Sequence, residues 1–355
     1  MSLRALGWNS FFQDAFASHA TRGLVAARVA VQFRGGYEVW TRDALLTAEV
    51  SGRFRHDTSA ARDFPAVGDW VAIEPLAGET RAVIHAVLPR RTRFSRTTAG
   101  GTTDEQLIAA NIDEIFVMES LAAPPNLRRI ERFLTLAWDS GAEPVVILTK
   151  ADLCADRNAL LRDVRQLARN ASVHAISCLE SQGIGAVKKR LCAGRTIAFL
   201  GPSGVGKSTL ANHLVGDEVQ PTLPVREDDQ KGRHTTTSRE MVYLSGGGVL
   251  IDTPGMRELQ LWEGTAGLGT AFADIESLAA GCKFTDCHHG NEPGCAVQQA
   301  VRGGKLEAAR LASFHKLRTE AAQFGRRRAT RARHEESRRA KVGRSIRGQK
   351  FNDDE

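Results

Sequence analysis

From Leu24 to Leu88 the apolar residues come in short runs broken by Gly and Asp. Leu24 to Phe33 alternates apolar with other residues, Gly35-Gly36 makes a turn, and Tyr37 to Thr41 returns. Leu45 to Phe54, Val67 to Ile73 and Arg81 to Leu88 read as further strands, with a polar loop from Asp57 to Phe64. Five short strands with such turns predict a small antiparallel barrel, of which an OB-like barrel is one design. A short amphipathic helix is expected before it, around Phe11 to Phe16. After it, Arg90 to Thr103 reads as a mobile linker, since it joins four arginines to small polar residues and a Gly100-Gly101 pair.

The rhythm changes from Ile108. Ile112 to Met118, Glu143 to Leu148, Val173 to Ile176 and Thr196 to Leu200 are apolar, strand-like runs. Between them Asn126 to Ala137, Ala159 to Ala168 and Ile184 to Leu191 carry helical spacing, with Ile130, Phe133, Leu134 and Ala137 on one face. This alternation predicts a parallel sheet with helices on both faces. Glu240 to Leu244 and Val249 to Ile251 add two strands around a hairpin turn at Gly246-Gly247-Gly248. Beyond about residue 262 the strands stop, and a helical Cys/His segment leads into a basic helical tail. The expected organisation is multi-domain: an OB-like β-barrel with its lead-in and linker over 1–100, an α/β domain over 101–262, and an α-helical domain over 263–355.

Charge sharpens this division. The chain of 355 residues has a formal net charge of +7. Between Val301 and Glu355 there are 16 Lys and Arg against 7 Asp and Glu, so the basicity belongs to the tail. That asymmetry points to an anionic partner such as nucleic acid. No apolar run approaches membrane-spanning length, and Met1 to Trp8 lacks a long apolar stretch, so a cytoplasmic protein is expected. No dimer seam is evident, and a monomer is expected. Cys154, Cys178 and Cys192 are scattered, whereas Cys282, Cys287 and Cys295 cluster, which in a reducing compartment favours metal over disulfide.

The chemistry centres on Gly201-Pro202-Ser203-Gly204-Val205-Gly206-Lys207-Ser208-Thr209, placed between a strand and a helix. This spacing is a phosphate loop. Its backbone N–H groups cradle phosphates, Lys207 reaches the β- and γ-phosphates, and Ser208 ligates Mg2+. Asp252, 45 residues after Lys207, ends an apolar strand and is followed by Thr253-Pro254-Gly255. A carboxylate there can hold Mg2+ through water, and Gly255 can offer its N–H to a γ-phosphate. Between the two lies Lys231-Gly232-Arg233-His234-Thr235-Thr236-Thr237, where Thr236 is the expected switch threonine on Mg2+.

Transporter-type ATPases and guanylate kinases share such a loop, and Leu244 to Gly248 imitates the transporter signature. The signature sits too close to Asp252 for that family's helical subdomain, and Asp252 precedes Thr rather than the catalytic Glu. The base-reading element favours GTP. Val145 to Leu148 leads into Thr149-Lys150-Ala151-Asp152, whose Asp can accept two hydrogen bonds from guanine. A later strand ends at Ser177-Cys178, where a second guanine-contacting turn is expected. The guanine motifs thus precede the phosphate motifs, as in a circularly permuted GTPase. Thr149 stands where Asn is usual, and weaker nucleotide affinity or specificity is expected from it.

With these motifs, and with Val67-Gly68-Asp69-Trp70-Val71, Ala110-Asn111-Ile112-Asp113 and Gly232 to Thr236, the chain resembles the RsgA family, also called YjeQ or EngC, over nearly its whole length. The resemblance implies an OB barrel, a permuted GTPase and a zinc domain. It also implies GTP hydrolysis stimulated by the small ribosomal subunit and its rRNA, late in that subunit's maturation. In Cys282-x4-Cys287-x-His289-x5-Cys295 the family pattern selects His289 over His288, giving three thiolates and one imidazole for a structural Zn2+. Met256 occupies the position where many GTPases carry a water-orienting Gln, so His234 is the local candidate for that task, with slow intrinsic turnover as the consequence. A second reading is an RNA-binding factor whose nucleotide site only reports conformation.

Overall fold

The computed structural model describes residues 2–58, 60–97, 105–215, 239–244, 247–252 and 265–349. The chain opens with α1 (Ser10–Ala20), started by the Asn9 side chain, which accepts the Phe12 N–H. β1 (Val25–Phe33), β2 (Gly36–Trp40), β3 (Leu45–Val50), the short α2 (Gly52–Asp57), β4 (Trp70–Pro75) and β5 (Arg81–Val87) follow. The strands pair in the order β1-β2-β3-β5-β4, and β4 closes back on β1 from Val25↔Ile73 to Arg28↔Trp70. Every second residue points inward: Ala27 and Val29, Tyr37 and Val39, Leu46 and Ala48, Val71 and Ile73, Ala82 and Ile84 form one buried cluster. The barrel is closed but not wholly antiparallel. β3 and β5 run parallel, because α2 and the segment after it carry the chain across before β4.

The outer face of β1 and β4 is buried as well. Ala26, Trp70 and Ala72 join the large core that continues under the α/β domain. This junction also corrects the linker reading for Arg90 to Thr97, while 98–104, with Gly100-Gly101, lie outside the described residues. β6 (Arg93–Thr97) pairs antiparallel with β7 (Glu105–Ala110), and Arg90 forms a two-pronged ion pair with the fully buried Asp69 at 2.7 and 2.8 Å. Gly68 has φ +91°, and a Cβ there would lie 2.1 Å from the Ala110 carbonyl oxygen. Asn111, at φ +57°, accepts the Arg91 N–H and donates to the Gly68 carbonyl. Buried Arg28 donates to the carbonyls of Leu6, Gly68 and Asn111. Burial pulls its pKa down to about 10, against the charges of Asp113 and Asp69, so it remains a cation at neutral pH.

The α/β domain comprises β8 (Glu114–Ser120), α3 (Leu127–Ser140), β9 (Glu143–Thr149), α4 (Arg157–Leu167), β10 (Ser172–Ala175), α5 (Ile184–Lys188), β11 (Thr196–Leu200), α6 (Lys207–Val215), β12 (Arg239–Tyr243) and β13 (Val249–Asp252). The order is β10-β9-β8-β11-β13-β12, parallel except for β12. β12 also pairs with β1 (Val31↔Glu240), which joins barrel and domain in one sheet. Val145 to Leu148 are fully buried, as expected of strands covered on both faces.

The C-terminal module is α7 (Thr265–Ala271), α8 (Ala273–Ala279), α9 (Ala296–Arg302) and α10 (Ala308–Gln349). Leu311, Phe314, Leu317, Ala321 and Phe324 give α10 a buried stripe at helical spacing. The module packs on α3. That contact buries Glu131 and Thr135 in addition to the apolar face of α3. At Gly267 a Cβ would lie 2.4 Å from the Thr135 carbonyl oxygen, so α7 approaches α3 through glycine.

Asp139 closes this contact. One oxygen accepts the Gly267 N–H at 2.7 Å, and the other is buried without a partner. Burial raises its pKa to about 6, with the Gly267 bond opposing. A carboxyl raised on folding favours the folded state below the unfolded value, and that contribution is lost as pH rises through 6. Asp139→Asn keeps the acceptor and removes the buried charge. It is expected to stabilise the protein by about 1 kcal/mol at pH 8, allowing for partial exposure, and by only about a fifth of that at pH 4. Unfolding curves at the two pH values check this, and an equal gain at both would contradict it.

Candidate nucleotide site and metal centre

Parallel strands bring their C-terminal ends to one edge, and ligands of open α/β sheets bind there. That edge collects Thr149 at the end of β9, Ser177-Cys178 after β10, Gly201 after β11 and Asp252 at the end of β13. Gly201 leaves β11 against β8, and a Cβ on it would lie 2.7 Å from the Met118 carbonyl oxygen. Gly204 (φ +72°) and Gly206 (φ +101°) turn the loop through conformations open to glycine. Val205 between them is buried, and Ser203, Ser208 and Thr209 are exposed at the start of α6. The Lys207 ammonium folds over the loop and donates to the carbonyls of Gly201 (2.9 Å) and Pro202 (2.7 Å).

The loop after β9 is tied directly to this one. The buried Thr149 hydroxyl donates to the Val205 carbonyl at 2.6 Å. Lys150, at φ +56°, reaches the Gly204 carbonyl at 2.9 Å. The hydroxyl therefore makes a contact to the phosphate loop at the position where Asn is usual. Asp152 is half-buried in the turn Ala151–Leu153, and the Ala151 N–H donates to the Ile176 carbonyl, so the turns after β9 and β10 adjoin. Burial and the nearby Asp152 charge both push the Cys178 thiol up, which keeps it neutral. Ser177 is fully buried and its Oγ accepts the Glu180 N–H.

Removing the Thr149 hydroxyl leaves a buried carbonyl without its donor, which costs about 1–3 kcal/mol. Thr149→Val is expected to weaken GDP binding about tenfold, and Thr149→Ser to restore it. Titration with a fluorescent GDP measures both, and wild-type affinity in Thr149→Val would contradict the bracing role.

His234, Thr236 and Gly255 lie outside the described residues, and of Asp252 only the backbone is described.

In the C-terminal module the ligating atoms of Cys282, Cys287, His289 and Cys295 lie within 4.8 Å of one another. Tetrahedral zinc with Zn–S about 2.3 Å and Zn–N about 2.0 Å implies S···S near 3.8 Å and S···N near 3.5 Å. Cys282 Sγ and Cys295 Sγ are 3.9 Å apart, and they lie 3.6 and 3.7 Å from His289 Nδ1. The residues therefore fit the ion. His289 turns inward at φ +61°, and its carbonyl accepts from Gln298 at 2.7 Å. Neighbouring His288 is exposed.

The model of the RsgA GTPase family matches residues 87–262. A relative from Opitutus terrae, named small ribosomal subunit biogenesis GTPase RsgA, is 44% identical over 336 residues, 92% of each chain. The chain belongs to the RsgA GTPase family. It is thus a member of a family of GTP hydrolases. A protein of the same name from Streptomyces coelicolor is 44% identical over 90% of this chain and 86% of its own. Among solved structures, YjeQ from Thermotoga maritima superposes with a TM-score of 0.63 and 26% identity, over 84% of this chain and 99% of its own. YloQ, described as a circularly permuted GTPase, has the same fold at a TM-score of 0.62 and 24% identity, over 84% and 96%. The permutation is visible here: the base-reading strands β9 and β10 precede the phosphate-loop strand β11 in one sheet.

Two features escaped the motif reading. One is the Lys150 bridge to Gly204. The other is the junction of Arg28, Gly68, Asp69, Arg90 and Asn111, whose residues are dispersed in sequence. Its only trace was the pair of short family stretches at Val67 to Val71 and Ala110 to Asp113.

Proposed function

We propose that the protein hydrolyses GTP in response to the small ribosomal subunit and serves a late step of that subunit's maturation. The observation that carries this reading is the joining of the loop after β9 to the phosphate loop through Thr149 and Lys150, in a chain whose relatives are named small ribosomal subunit biogenesis GTPase. Asp152 and the turn at Ser177-Cys178 would read guanine. The loop from Gly201 through Ser203, Gly204, Val205, Gly206, Lys207 and Ser208 to Thr209 would hold the phosphates. Ser208 and Thr236 would ligate Mg2+, with Asp252 acting through water and Gly255 facing the γ-phosphate. His234 would position the attacking water, helped by the ribosome.

Zn2+ on Cys282, Cys287, His289 and Cys295 would shape the C-terminal module. The barrel, that module and the basic tail would meet rRNA, and hydrolysis would loosen the Thr236 switch and release the protein. Among the described residues no helix is long and apolar enough to cross a membrane.

The test is the GTPase rate with and without purified small subunits, across a salt series. A large stimulation that fades steeply as salt rises is expected of contacts dominated by phosphate. Equal rates with and without subunits would overturn the reading.

A further inference from the structure

α3 carries charged side chains to two destinations. Toward the sheet, Arg129 donates to both oxygens of Glu119, at 2.8 and 2.6 Å. Glu119 lies near the end of β8, and its side chain is 5% exposed. Its carbonyl lies 3.3 Å from the Thr149 hydroxyl, whose single proton goes to the nearer Val205 carbonyl. The carbonyl before it, on Met118, is the one against which Gly201 turns. Toward the C-terminal module, Glu131 is 1% exposed and accepts from Arg310 at 2.9 Å and from Arg128 at 2.6 Å. Arg310 also grips Asp274 with two bonds, at 2.6 and 2.8 Å, and lies over the Phe272 ring at 4.7 Å. Arg132 reaches Glu320 of α10 at 2.9 Å.

Residues two apart on a helix point to opposite sides. Arg129 and Glu131 therefore make α3 a rigid strut between the nucleotide loops and the module. Neither pair is needed to read guanine, hold phosphate or ligate zinc. The Glu131 cluster is poorly suited to separation, since parting it breaks a buried charge-assisted bond to Arg310 and leaves Glu131 with Arg128 alone. One Glu131 oxygen already lacks a partner. Moving the module without moving α3 is thus costly, and moving α3 displaces Arg129.

We propose that α3 links the position of the C-terminal module to the geometry of the phosphate loop, with Glu131–Arg310 and Glu119–Arg129 as its positioning pairs. The proposal rests on the GTP reading above and names a regulation of that site. Docking of the module on a partner would then change nucleotide release through the guanine-reading half of the domain.

The experiment is the dissociation rate of a fluorescent GDP from the full chain, without ribosomes. Wild type, Arg310→Met, Arg129→Met and the double variant are compared. Met keeps the apolar contact over Phe272 while removing the charge. Each single change is expected to alter release about fivefold or more, and the double variant to match the larger single effect, as for two points on one coupling route. An unchanged rate in Arg310→Met, or effects that multiply in the double variant, would overturn the link. If Arg310→Met does not fold, Asp274→Asn and Arg310→Lys weaken the same cluster and are read in the same way. Failure of the wild type to bind GDP at all would instead remove the nucleotide reading, and the link with it.

Discussion

Removing the metal from the C-terminal module, or replacing Cys295 by serine, is expected to unfold the segment around Cys282 to Cys295 while the sheet stays folded. The segment has little else to hold it. From residue 281 to 295 the buried residues are His289 and Cys295, both in the ligand cluster. Structural zinc supplies on the order of 10 kcal/mol or more to such small modules. Without it, three thiols and an imidazole face one another with nothing to join them. Cys295 also caps α9 by accepting the Gln298 N–H, so its loss reaches the next helix. The check is one zinc per chain in the purified protein, together with new protease cleavage between residues 282 and 302 after chelation. Protein that is zinc-free as purified yet resists protease there would contradict the structural role.

Lys207→Ala is expected to lower GTP hydrolysis by about 100-fold or more, the scale lost when a preorganised charge is removed from a phosphoryl-transfer site. Two effects combine. The positive charge at the phosphates disappears, and the carbonyls of Gly201 and Pro202 lose the ammonium that spans them. Lys207→Arg separates the two, because it keeps the charge while changing the reach. Single-turnover hydrolysis with excess small subunits is the readout, so that binding does not limit the rate. Hydrolysis within tenfold of wild type in Lys207→Ala would show that this lysine does not carry the chemistry.

Much of the architecture was legible in local pattern. The five barrel strands, the alternation from Ile112 onward and the strand–loop–helix around Gly201 follow from residue periods and turn residues, which act over a few neighbours. The permuted order of the base-reading and phosphate motifs is a statement about chain order, and sequence is sufficient for it. The spacing of the cysteines similarly proposes a metal site before any coordinates.

Other features depended on what each side chain meets. Arg90 looks like a solvated linker residue until Asp69, 21 positions earlier, is placed against it in a buried pair. The parallel pairing of β3 and β5 depends on the path between strands, which strand periodicity does not encode. Glu131 and Thr135 sit on the polar side of an amphipathic helix and are buried because a second layer, α7 and α10, covers that side. Thr149 reads as a weak substitute for Asn, yet the fold brings the Val205 carbonyl, 56 positions later, within 2.6 Å of its hydroxyl.

The elements, their order and the chemistry of the loops rest on local backbone preference and residue type, and so are readable residue by residue. Which polar groups are buried, and with what partners, depends on the folded arrangement. Burial is a property of the surfaces brought together, and a charge that is cheap in water becomes a fixed, directional contact once its partner is enclosed with it.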